Sequence, residues 1–83
     1  MLRVSGYGQD GPRKDEPGFA AIAEAMGGLR YINGHPGQIP ARAGLSLGDT
    51  ISGLNGALGV MLALYERDKK DGGSGRGQVI DVA

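Results

Sequence analysis

The chain has 83 residues, nine basic side chains against nine acidic ones, and no cysteine. That allows one small domain at most. It excludes a disulfide framework or a thiolate metal site, and it lacks the basic excess typical of nucleic-acid binders.

Glycine is over-represented, at 17 of 83 positions, where an average chain has ~7%. The glycines punctuate apolar segments and form no low-complexity tract. That suits a fold with many turns and close backbone contacts. The lack of cysteine fits a reducing compartment. Cytoplasmic residence is the expectation, with a mitochondrion or peroxisome as the eukaryotic alternative. Leu2-Arg3-Val4 follows Met1 without a signal-peptide apolar stretch. No apolar run is read as a membrane span of roughly 20 residues.

In chain order, Leu2 to Ser5 is β-like and Gly6 to Pro12 is a loop. Arg13-Lys14-Asp15-Glu16 is a charged, solvated connector. Phe19, Ile22, Ala23 and Met26 recur at helical spacing and predict a helix over about 18–27 with an apolar face. Pro17 suits its entrance and Gly27-Gly28 its exit. Residues 29–47 carry Asn33-Gly34, Pro36-Gly37 and Pro40, so they read as irregular. A connection of that length is usually functional or braced by another part of the protein.

A second helix is predicted over about 47–67. Ile51, Leu54, Leu58, Met61, Leu62 and Tyr65 would form its apolar stripe. Gly53, Gly56 and Gly59 lie within one short stretch of it. Interior glycine costs about 0.5–1 kcal/mol relative to alanine, so three of them imply close packing against another element. Gly72 to Gly75 is a turn, and Gln78 to Val82 reads as a strand. The order β–loop–α–long loop–α–β is a slice of an α/β protein built on a mostly parallel sheet. Both strands lie at the chain ends, as if cut from a longer sheet.

Several motifs compete for chemistry. Gly6-Tyr7-Gly8-Gln9-Asp10-Gly11 matches G-x-G-x-x-G, but a dinucleotide site needs a helix to open there. Pro12 and four charged residues follow, so a glycine turn is the better reading. His35 sits alone in a turn-rich loop, with no Cys, His or carboxylate cluster to make a metal site. Arg30, Tyr31 and Arg42 flank the long loop as candidate contacts for an anion. Ser46-Leu47-Gly48-Asp49 fits a capping box at the start of the second helix. Asp49 also gains from the helix dipole and follows the kind of loop that carries function. By spacing alone it is either a cap or a reactive carboxylate.

Four stretches taken together go further. They are Ser5 to Pro12; Pro17-Gly18-Phe19 leading into Ala25-Met26-Gly27-Gly28-Leu29; Gly48-Asp49 opening a helix that ends in Ala63-Leu64-Tyr65-Glu66-Arg67; and Gly75-Arg76-Gly77-Gln78-Val79-Ile80-Asp81-Val82. In this order and spacing the chain resembles the family III CoA-transferases, a group that includes acyl-CoA racemases.

The resemblance implies a middle portion, over residues 1–83, of a large doubly wound, Rossmann-like domain. It implies an interlocked homodimer, with acyl-CoA and a carboxylic acid as substrates. Coenzyme A thioester would be a substrate, with no covalently bound cofactor, no metal, and no nucleic-acid or membrane partner. Asp49 would be the nucleophile, attacking the thioester to give an aspartyl acyl-enzyme. Gly48 and Arg42 would contact substrate or CoA. The racemase branch pairs the aspartate with a histidine at the position of Phe19, and phenylalanine cannot move a proton. That departure favours a transferase. At Ala20 many members carry an acidic residue. The alternative reading is that the 83 residues are a non-catalytic, truncated remnant of such an enzyme, with a 2-methylacyl-CoA racemase behind it.

Overall fold

Two three-residue strands from opposite ends of the chain pair in parallel. In the computed structural model, which describes residues 1–83, β1 is Leu2–Val4 and β2 is Ile80–Val82. Leu2 lies opposite Ile80, Arg3 opposite Asp81 and Val4 opposite Val82. Between them come α1, Ala20–Met26, and α2, Leu47–Asp68. The α/β order and the parallel pairing are as expected. The sheet has two strands, so it shows a parallel α/β unit without the doubly wound arrangement.

The small side of α2 meets the sheet. A Cβ added at Gly56 would lie 3.1 Å from the Leu2 side chain, and one at Gly59 would lie 2.9 Å from Ile80. These two glycines let strand side chains settle against the helix backbone. Gly53 has nothing within 4 Å, so only two of the three expected contacts form here.

The expected apolar faces are exposed. Leu54, Met61 and Tyr65 on α2 are 68%, 67% and 71% exposed. On α1 the outcome is similar: Phe19 and Met26 lie outward, and the buried residue is Glu24. Helix α1 also starts later than predicted, because Phe19 has extended backbone and serves as its N-cap. It ends as predicted, with Gly28 at φ +81 directly after the cap. By length and composition α2 is apolar enough to cross a bilayer, which corrects the reading that no segment qualifies.

No hydrophobic side chain is buried. The radius of gyration is 16.8 Å, against about 12 Å for a compact domain of this length. Folding needs a buried apolar core to offset chain entropy. The isolated 83-residue chain is therefore expected to melt without a cooperative transition. Circular dichroism against urea checks this; a sigmoidal curve with a steep slope would contradict it.

The glycine turn opens no helix. Gln9 N–H donates to Asp81 Oδ2 at 2.8 Å, and Gln9 Nε2 donates to Ser5 Oγ. The turn is thus fastened to β2. Gly6 and Gly18 cross at backbone contact: a Cβ on Gly6 would lie 2.5 Å from Gly18 Cα.

Candidate active site

A cleft of about 830 Å³ opens at the carboxyl ends of β1 and β2. Parallel α/β units place their ligands there, because loops and helix N-termini converge at that edge. Val4, Ser5 and Ala83 form the strand side of the cleft, and Phe19, Ala20 and Glu24 the α1 side. Asp49, Gly48 and Arg42 all line the same cleft. The three residues singled out from sequence are thus brought together.

Asp49 lies in the first turn of α2 and is exposed. Its carboxylate makes no ion pair; the two ion pairs present, Arg13–Glu16 and Arg67–Asp68, lie outside the cleft. In those pairs the arginine hydrogen bond holds the Glu16 and Asp68 carboxyls below their usual range.

The expected capping box does not form. Ser46 is the N-cap but makes no side-chain cap bond. Glu24 does the capping instead, from α1: its Oε1 accepts the Gly48 N–H at 3.2 Å. Leu47 N–H donates to Leu45 O, and Thr50 N–H to Ser46 O. The Asp49 N–H between them has no acceptor. The Asp49 carboxylate is left unused by the helix start and faces an open cleft.

Gly48 is required by packing. A Cβ there would lie 2.8 Å from Ala20 Cβ and 3.2 Å from Ala20 Cα. Here α1 and the start of α2 cross closely, which brings Glu24 within reach of the Gly48 amide.

The long loop is irregular as expected, and its neck is fastened. Ala41 N–H donates to Asn33 O at 3.0 Å, and Asn33 Nδ2 donates to Ala41 O at 3.0 Å. This clasp returns the chain to the cleft, with Arg42 next in line. Residues 31–40, His35 among them, are exposed, and no group of metal-ligating side chains forms. Arg30 Nε is buried without a partner and borders a smaller pocket beside Asn33 and Ala41.

Sequence reasoning missed Glu24 and the Asn33 clasp. Glu24 did leave a signal: it is the one charged residue in Ala20–Met26, and a lone carboxylate among alanines is a candidate for a specific partner.

Comparisons with known proteins cover the whole chain. The succinyl-CoA–D-citramalate CoA-transferase of Chloroflexus aurantiacus is 49% identical over 82 residues, which are 99% of this chain and 19% of that protein. The beta subunit of the succinyl-CoA–L-malate CoA-transferase from the same organism is 51% identical over 84 residues, 100% of this chain and 20% of that protein. The chain thus spans about a fifth of the length of the curated relatives it matches. A CAIB/BAIF family crystal structure from Brucella suis superposes with a TM-score of 0.90 at 29% identity, covering 99% of this chain and 21% of that one. The model of CoA-transferase family III matches residues 1–83, and the chain belongs to that family.

Proposed function

We propose that these residues form the nucleophile-bearing segment of a CoA-transferase about five times their length, in line with the share of the relatives they match. The observation that carries this reading is the free Asp49 carboxylate at the start of α2, in a cleft at the strand ends. A carboxylate is ionised near neutral pH and needs no separate base.

In the proposed step an Asp49 oxygen attacks the thioester carbonyl carbon. The C–S bond breaks and CoA leaves as thiolate, giving a mixed anhydride on the enzyme. Covalent catalysis of this kind splits one hard exchange into easier ones. The unpartnered Asp49 N–H and the positive end of α2 support the negative charge that develops. The acceptor carboxylate then attacks the Asp49 carbonyl carbon of the anhydride and displaces the donor acid. The CoA thiolate attacks the acceptor's carbonyl carbon and frees the Asp49 carboxylate, within an interlocked homodimer in a cytoplasmic setting.

The relatives named for citramalate and malate support a small dicarboxylic acid as acceptor. Arg42 would pair with its second carboxylate. Gly48 keeps the α1 crossing tight and so sets the floor of the site. Phe19 lines the cleft where a racemase would need a proton carrier, which favours transfer. Leu2 against Gly56 and Ile80 against Gly59 favour α2 as a sheet-covering helix over a bilayer span. The absence of a buried apolar core supports a second reading, in which the 83 residues without their remainder are catalytically inert.

The direct test is to incubate the full-length enzyme with succinyl-CoA, quench in acid and map the peptides by mass. A succinyl increment on Asp49 is expected, and an increment on any other residue overturns the assignment. Arg42→Ala is expected to raise KM for a dicarboxylate acceptor about tenfold or more, since a charge-assisted hydrogen bond is worth roughly 1.5–3 kcal/mol. KM for a monocarboxylate of equal length should stay unchanged in steady-state kinetics.

A further inference from the structure

Glu24 is the one charged side chain that the fold buries, at 6% exposure. A carboxylate removed from water is costly unless it is hydrogen-bonded. The side-chain bond it forms goes to the Gly48 amide, one residue before Asp49. Ser46, the residue placed to cap α2 locally, makes no such bond. The side-chain cap on the first turn of α2 therefore comes from α1, beside the bonds that Thr50 N–H and Oγ1 donate to the Ser46 carbonyl. The contact of Gly48 with Ala20 holds the same turn from the same helix. One end of Asp49's peptide environment is thus fastened by an acceptor on a separate element, while its carboxylate stays unbonded.

We propose that Glu24 is a positioning residue for the nucleophile. Its Oε1, accepting the Gly48 N–H, fixes the first turn of α2 so that the Asp49 carboxylate meets the thioester carbonyl at the angle of attack. The inference rests on the reading of Asp49 as nucleophile. The property that matters is the acceptor oxygen, so glutamine serves in place of glutamate. Reacting groups displaced by about 1 Å lose about a hundredfold in rate, which sets the scale for loosening this turn.

The test uses the full-length enzyme in single-turnover experiments with succinyl-CoA. They read two quantities: the rate constant for acylation and the amount of acyl-enzyme formed at saturation. Glu24→Met fills the same space with only a weak thioether acceptor in place of the carboxylate oxygen. It should lower the rate constant about a hundredfold and leave the amount formed intact. Glu24→Gln should return the rate constant to within about threefold of the parent enzyme.

If Glu24 only packs, Glu24→Met lowers the amount of competent enzyme at an unchanged rate constant, and the proposal is overturned. It is equally overturned if Glu24→Gln slows acylation as much as Glu24→Met. Asp49→Ala serves as the separate control. Acylation that persists in that variant removes the nucleophile assignment itself, whatever the Glu24 variants do.

Discussion

Asp49→Ala is expected to lower transferase turnover on the order of 10⁴-fold or more and to abolish the acyl-enzyme. Effects of that size follow when a covalent nucleophile is removed, because a whole reaction route is lost and binding alone remains. The alternative role, capping α2, predicts a different result. Loss of a cap costs ~1 kcal/mol of stability and leaves the chemistry standing. The geometry favours the catalytic outcome, since Glu24 already accepts the Gly48 amide and Asp49 lies exposed in the cleft. Melting temperature and turnover measured on the same full-length variant separate the two: near-parent stability with lost turnover is expected. Near-parent turnover would end the assignment.

The second large effect is on stability. Gly6→Ala should destabilise the full-length enzyme by about 3 kcal/mol, at the upper end of typical overpacking costs. Its Cβ would sit 2.5 Å from Gly18 Cα, and the reciprocal Cβ on Gly18 would sit 2.7 Å from Gly6 Cα. Both obstacles are backbone, so no rotamer change relieves them. The double variant Gly6→Ala/Gly18→Ala should cost less than the sum of the single ones, because separating the two strands of backbone once makes room for both methyls. Denaturant midpoints at unchanged slope provide the measure. Strict additivity would show that the two glycines act independently.

Much of the architecture was legible because it follows from local chemistry. Gly27-Gly28 marked the end of α1, and the order of apolar segments gave α/β with parallel strands. Asp49, Gly48 and Arg42 could be singled out from the chain and do share a cleft. What stayed hidden depends on contacts between distant residues. Periodicity placed Phe19 and Met26 on the apolar face of α1, yet Glu24 is the residue buried. A pattern shows which side of a helix is apolar, not which side meets the neighbour present. Ser46-x-x-Asp49 fits a capping box, but an acceptor 24 residues upstream takes the amide. No local pattern can report a partner at that separation.

The Asn33–Ala41 clasp also separates two functions along the chain. Residues 34–40 extend beyond a neck closed by paired hydrogen bonds, and they are exposed throughout. Lengthening such an excursion costs little, about 0.6 kcal/mol per doubling, and leaves the neck in place. The tip of the loop is thus free to change in length and sequence, while Arg42 keeps its address in the cleft that Asp49 also lines. Selection can vary the rim without rebuilding the crossing of α1 and α2 beneath it.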